Sequence, residues 1–269
     1  MPELPEVEVT RRGIAPHLTG RVISGVAVRE PHLRWRVNAS ARALQGLSVL
    51  GVARRGKYLL IDCGAGHLIV HLGMSGSLRV LPRDTPPGKH DHFDLELGDV
   101  LLRLRDPRRF GAVLWYTGRV ELHRLLSGLG IEPLERGFDG MRLYALTRAS
   151  RVAIKPFLMD ARRIVGVGNI YASESLFQAG IHPRLQAQRI SLARCVRLAS
   201  EIKATLRAAI RAGGSSLRDY SGATGELGCF QMRYSVYDRE GLQCRRCGAP
   251  IRRVVQAQRS TFFCPACQR

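Results

Sequence analysis

Lysine is scarce in this chain: Lys57, Lys89, Lys155 and Lys203 are its four among 269 residues, and every other basic side chain outside histidine is arginine. A mechanism that needs a lysine amine therefore has four candidates. Acid is scarce too. Against 42 Lys and Arg stand 22 Asp and Glu, a formal net charge of +20 at pH 7. Such a chain is drawn to polyanions, nucleic acid being the commonest, with a membrane surface or a ribosome as the alternatives; charge does not separate DNA from RNA. No apolar run is long enough to span a bilayer. The start, MPELPEVEVTRR, is acidic and lacks the apolar core of a secretory signal. These absences predict a cytoplasmic protein with reduced thiols. Its seven cysteines are therefore read as metal ligands or free thiols before disulfides. There is no internal repeat and no low-complexity segment.

The hydrophobic fraction is 45%, that of an ordinary globular protein, and the length allows two domains or one large domain with an appended module. After the first dozen residues the pattern is β. Short Val- and Leu-rich runs lie at 21–30, 47–55, 57–63, 67–72, 77–81, 92–97, 99–106 and 111–116, separated by Gly, Pro and Asp. That spacing predicts a sandwich or barrel. Gly98-Asp99 is a tight-hairpin signal. A helix is expected to begin near Pro5, with Leu4, Val7, Ile14 and Leu18 on one face. From about residue 120 the periodicity turns helical, at 120–130, 141–150 and 191–213, with 134–140 as a hinge, and from 230 it returns to β. The expected architecture is multidomain α+β. An N-terminal β-sandwich domain with flanking helices covers 1–118, a helical domain covers 119–228, and a four-cysteine zinc ribbon covers 229–269.

The ribbon rests on spacing. Cys244-x2-Cys247 and Cys264-x2-Cys267 enclose 16 residues. Two such turns supply four thiolates to one tetrahedral zinc ion and leave no open position, so the ion is structural; a redox pair is the alternative. Cys63, Cys195 and Cys229 are left as buried or half-buried thiols. Residues 241–269 hold six arginines and no Asp or Glu, which suits a phosphate-binding finger or a solvated basic face.

Pro2 follows a methionine that so small a neighbour allows to be removed, which would expose a secondary amine. An α-amino group has a pKa near ~8, so on the order of a tenth is neutral at pH 7. A following helix N-terminus lowers that pKa further. A neutral amine attacks an electrophilic sugar carbon, and the iminium of a secondary amine keeps its charge, which acidifies the C2′ proton. Glu3 and Glu6 are placed to protonate a sugar or shuttle protons. The alternative is an accident of processing followed by ordinary first-turn acids.

Taken together, PELPEVE (2–8), RRGKYLL (54–60), HLGMSG (71–76), DPRRFG (106–111), VGVGNIYASE (165–174, opened by Val165) and the closing CxxC…RSTFFCPAC resemble the formamidopyrimidine-DNA glycosylase family. They follow the family's order over nearly the whole chain. The sister group, endonuclease VIII-like enzymes, usually begins PEGPE, and Leu4 in place of that glycine favours the purine-specific branch. The resemblance implies a bifunctional glycosylase and abasic-site lyase, acting on formamidopyrimidine and 8-oxoguanine in double-stranded DNA. It implies a bacterial, nucleoid-associated monomer with one structural zinc and no membrane partner. By the same resemblance Pro2 is the Schiff-base nucleophile, Glu3 the general acid, Lys57 a phosphate-contacting lysine that assists catalysis, and Lys155 a lysine near the lesion. Asn169 opens the second helix of a helix–two-turn–helix motif and grips phosphate. Arg259 is the second phosphate clamp, in the ribbon, with His71 and Tyr237 as lesser phosphate contacts. Met74, Arg108 and Phe110 fill the gap left by an extruded base, since C1′ is hidden from attack in a stacked duplex; taken alone, Met74 and Phe110 are read as core residues. The Gly-rich stretch 221–230 covers the extruded purine, or is a connector. The competing functions are an endonuclease VIII-like glycosylase for oxidised pyrimidines and a non-enzymatic zinc-ribbon nucleic-acid-binding protein.

Overall fold

The computed structural model describes residues 2–215 and 228–269. The chain forms two compact units, one of residues 1–128 and 212–229, the other of 129–211 and 230–269.

In the first unit helix α1 (Leu4–Leu18) leads into β1 (Gly25–Val28), a short helix α2 (Ala41–Leu44) and seven strands: β2 (Gly51–Arg55), β3 (Tyr58–Asp62), β4 (His67–His71), β5 (Ser77–Pro82), β6 (Asp91–Leu97), β7 (Val100–Arg105) and β8 (Ala112–Tyr116). Every expected strand run contains one. They pair antiparallel into two four-stranded sheets, β1-β6-β7-β5 and β2-β3-β4-β8. The predicted hairpin is there: Leu97 faces Val100 across Gly98 and Asp99, and Gly98 takes φ +77°. Both sheets supply one core, Leu59, Ile61, Leu68 and Val70 from one and Leu78, Phe93, Leu95 and Leu104 from the other. Each such fully buried side chain contributes about 1.5–3 kcal/mol. α1 adds Val7, Ile14 and Leu18 to this core, and Leu4 is also buried. It packs along β2 and β5. Its polar face holds Glu8, which pairs with Arg11, Arg12 and Arg54.

The second unit contains α3 (Gly140–Arg148), α4 (Ile154–Met159), α5 (Asn169–Ala179), α6 (Leu192–Arg211) and the hairpin β9 (Arg252–Gln256)–β10 (Arg259–Phe263). Gly180 ends α5 in the left-handed conformation, its N–H bonding back to Leu176 and Phe177. α6 buries Leu198, Ile202, Leu206 and Ile210 at helical spacing. The helix expected over 120–130 is only a short 3-10 turn at Val120–Leu122 followed by turns. Gly128 and Gly130 disfavour helix at the end of that run. Residues 134–140 are not the hinge: the units divide at 128, Phe138 is fully buried, and Asp139 caps α3 by accepting the Arg142 N–H at 2.7 Å. Cys63 and Cys195 are buried, as expected, but Cys229 is exposed, on a lone bridge to Ser215. No described helix is long and apolar enough to cross a membrane.

Candidate functional site

In the first unit the chain enters α1 through a reciprocal cap. The Glu3 carboxylate accepts the Glu6 N–H, and the Glu6 carboxylate accepts the Glu3 N–H at 2.8 Å, with Pro5 in the first turn. Pro2 is buried and Glu3 and Glu6 are each 2% exposed. Pro2 thus precedes the positive end of a 15-residue helix. The other oxygen of Glu6 accepts the Ser215 N–H at 2.8 Å. Glu6 is therefore a clamp between two backbone segments, where sequence alone made it a candidate proton shuttle.

Lys57 lies at the tip of the β2–β3 hairpin, after Gly56 at φ +58°. The first residue of β3, Tyr58, is paired with His71. Burial first, and then the positive Lys57 and Arg34, push the His71 imidazole down to about 4. It is neutral at pH 7. Its Nδ1 accepts the Gly73 N–H at 3.0 Å, so Nε2 carries the proton and is a neutral donor.

Met74 and Phe110 are not core residues. They are 38% and 45% exposed, and the Arg108 guanidinium lies 5.2 Å from the Phe110 ring centre. The β4–β5 connection carries Met74, and the β7–β8 connection carries Arg108 and Phe110. The two connections touch through backbone: a Cβ on Gly73 would meet the Phe110 carbonyl carbon at 2.4 Å, and Gly73 itself takes φ +62°. Asp106, fully buried, holds them together, accepting Ser75 Oγ–H at 2.8 Å and Gly111 N–H at 2.7 Å. Sequence reasoning missed Asp106; the signal was its place before a proline at a strand end.

In the second unit Asn169 is the first residue of α5, after Gly168 at the cap. Lys155, 1% exposed, donates to Asn169 Oδ1 at 2.5 Å, Thr261 Oγ1 at 2.7 Å and the Ser260 carbonyl at 3.0 Å. An ammonium only donates, so the amide atom facing it is the oxygen. The Asn169 NH2 is then turned toward the Tyr237 hydroxyl, 3.4 Å away. The backbone around Tyr237 is held by Glu174, a buried carboxylate that accepts the N–H groups of Ser235, Val236 and Tyr237 at 2.8–2.9 Å. Burial raises its pKa against these bonds. Glu174 was also missed; a lone carboxylate among the apolar residues of α5 was the available signal. Arg259 is the exposed residue that follows the Ala257-Gln258 turn, both of whose residues have positive φ. With Lys155, Asp160 and Gln256 it borders a cavity of about 220 Å³. Of the 221–230 stretch, residues 221–227 lie outside the described residues; Phe230 is buried against Tyr171, with 5.7 Å between ring centres.

The sulfurs of Cys244, Cys247, Cys264 and Cys267 lie within 4.8 Å of one another, with Cys247–Cys264 at 3.5 Å and Cys244–Cys267 at 4.0 Å. Zinc–sulfur bonds of about 2.3 Å in a tetrahedron place sulfurs about 3.8 Å apart. Backbone N–H groups of Arg246 and Cys267 donate to Cys244 and Cys264 sulfur, each at 3.4 Å, which favours thiolates. The residues fit one structural zinc ion. Bound there, it cross-links the two knuckles flanking β9 and β10.

Three families match in succession: the formamidopyrimidine-DNA glycosylase N-terminal domain over residues 1–113, its H2TH domain over 129–221, and a zinc finger found in FPG and IleRS over 241–269. The chain is 59% identical over 273 residues to the formamidopyrimidine-DNA glycosylase of Janthinobacterium sp. (strain Marseille), and 58% identical over 271 residues to that of Thiobacillus denitrificans; each match covers all of both chains. Among solved structures, Lactococcus lactis Fpg in complex with abasic-site DNA is similar at 36% identity and TM-score 0.92, over 99% of each chain. The Thermus thermophilus MutM (Fpg) protein is similar at 39% identity and TM-score 0.90, over 99% of this chain and 98% of that one. The chain belongs to the formamidopyrimidine-DNA glycosylase family and is a base-excision DNA glycosylase and abasic-site lyase with a zinc-finger module.

Proposed function

We propose that the amine of Pro2, freed by removal of Met1, carries out both reactions on oxidised purines in duplex DNA, formamidopyrimidine and 8-oxoguanine among them. The observation that carries this reading is the buried Pro2-Glu3 pair at the positive end of α1. The amine attacks C1′ and the bond to the base breaks, the base leaving with a proton from water. The Glu3 carboxylate takes the N–H proton that the amine gives up and delivers it to O4′ as the sugar ring opens, leaving an iminium on C1′. Loss of a C2′ proton expels the 3′ phosphate, a second elimination expels the 5′ phosphate, and water releases the sugar fragment from Pro2. Lys57 and the neutral donor His71 hold backbone phosphates on this unit. Asn169, Tyr237 and Arg259 hold them on the other, with the positive end of α5 behind Asn169. Lys155 serves the lesion site through Asn169. Met74, Arg108 and Phe110 occupy the space of the extruded base.

The same reading divides the chain into a catalytic module at 1–118, a DNA-gripping helical module at 119–228 and the finger at 229–269. It makes the enzyme a cytoplasmic, nucleoid-associated bacterial monomer with no membrane partner. The discriminating experiment is borohydride trapping with duplex containing 8-oxoguanine. The processed protein is expected to give a covalent cross-link, and Pro2→Gly or Glu3→Gln to give none while still binding DNA. Absence of a cross-link from active processed protein refutes the amine mechanism. Faster excision of thymine glycol than of 8-oxoguanine refutes the purine assignment.

A further inference from the structure

Met74 and the Arg108–Phe110 pair sit on separate connections, 34 residues of sequence apart at their nearest, if Met74 is counted against Arg108. Each connection is short and exposed at its tip. Beneath the tips runs a buried chain of hydrogen bonds. Ser75, 4% exposed, donates its hydroxyl to Asp106 Oδ1 at 2.8 Å and accepts the Arg108 N–H at 3.2 Å. Asp106 Oδ2 accepts the Gly111 N–H at 2.7 Å and so closes the second connection on itself. The Asp106 carbonyl accepts the Arg109 N–H at 3.2 Å and faces His92 Nε2 at 2.9 Å, which must then carry the proton. Ser75 follows Met74 directly, and its hydroxyl is the donor of one bond and the acceptor of the other. One side chain therefore sets the position of both tips.

We propose that Ser75 and Asp106 form a latch that fixes Met74 against Arg108 and Phe110, so that the three enter the space of an extruded base as one body. This rests on the gap-filling role proposed above for those three residues. Ser75 and Asp106 touch neither base nor phosphate in this scheme; they are positioning residues. Their effect falls on the step that vacates the stack. A preformed abasic site has no base to displace and leans on the latch less.

The test uses full-length, processed, zinc-loaded enzyme in single-turnover assays on two duplexes, one with 8-oxoguanine and one with a preformed abasic site. Ser75→Ala is expected to slow 8-oxoguanine excision about tenfold, the worth of one or two buried hydrogen bonds, and abasic-site cleavage less than about threefold. In a Met74→Ala background the same substitution is expected to cost less than about twofold more, because the body it positions has already lost its tip. Asp106→Asn is the second variant. An amide cannot accept from both Ser75 and Gly111 through two oxygens, so it should show the same split between substrates. Equal losses on both duplexes, or the full Ser75→Ala loss repeated in the Met74→Ala background, overturn the latch. A slow Met74→Ala enzyme beside a parental Ser75→Ala enzyme overturns the latch alone. Parental excision by Met74→Ala overturns the gap-filling reading as well.

Discussion

Lys155→Met separates a phosphate ligand from a structural brace. Three acceptors converge on the buried ammonium, and they come from α5 and β10. Hydrogen bonds from a charged group contribute about 1.5–3 kcal/mol each, though not additively. Methionine preserves the stem but leaves Asn169 Oδ1, the Ser260 carbonyl and Thr261 Oγ1 without that donor. Each unsatisfied buried acceptor costs about 1–3 kcal/mol, and the Thr261 hydroxyl can rotate to find a new partner. A net loss of about 3–5 kcal/mol follows, in line with breaking other buried charged pairs. The unit carrying it should then melt lower by on the order of 10 °C. The second readout is salt. Each phosphate contact contributes about 0.9 to the slope of log K against log salt. All three Lys155 donors are spent inside the protein, so Lys155→Met should leave that slope within about 0.3 of the parent, whereas Arg259→Ala should lower it by about 0.9. Calorimetry and fluorescence-anisotropy titrations measure the two quantities. A Lys155→Met protein with parental melting and a slope reduced by about one would refute the brace and place the charge on a phosphate.

Three further outcomes are expected. His71 has its pKa depressed from 6.5 to about 4. Above pH 6.5 both folded and unfolded chains hold it neutral; as pH falls toward 4 the unfolded chain takes up a proton that the fold refuses, so stability falls with it. The loss is at most about 3 kcal/mol, less as solvent screens a half-buried ring, and His71→Gln should flatten this part of the urea-unfolding profile against pH. Gly73→Ala, placed at φ +62° with a Cβ 2.4 Å from Phe110 backbone, should destabilise the protein by more than about 1 kcal/mol and depress 8-oxoguanine excision, read by thermal melting and single-turnover rate. Zinc removal with a strong chelator should release one ion per chain and abolish tight DNA binding, and Cys247→Ser should reproduce this, as measured by a colorimetric zinc assay and anisotropy.

The β architecture was legible because each strand of a half-buried sheet writes its own pattern, and the Gly98-Asp99 turn writes its own as well. The four-cysteine cluster was legible because its spacing is the geometry. What the pattern could not show is which distant atom a buried polar group meets. Lys155 reads as an isolated cation until its acceptors, 14, 105 and 106 positions away, are brought to it. Ser75 and Asp106, 31 positions apart, read as loop residues. Periodicity also misled at 120–130, where the spacing is helical but Gly128 and Gly130 disfavour the helix.

The clamp on Glu6 has a consequence for synthesis. Its partner, Ser215, lies 209 positions further along the chain. At 5–20 residues per second the ribosome needs roughly 10 to 40 s to make that stretch. For that interval Glu6 lacks its bond to Ser215, and the first unit lacks the bridge between Ser215 and Cys229. Pro2 is buried in the finished fold. Until Ser215 is made, the entry to α1 rests on its local cap alone, and the bond that ties Glu6 to Ser215 is among the last the first unit can form.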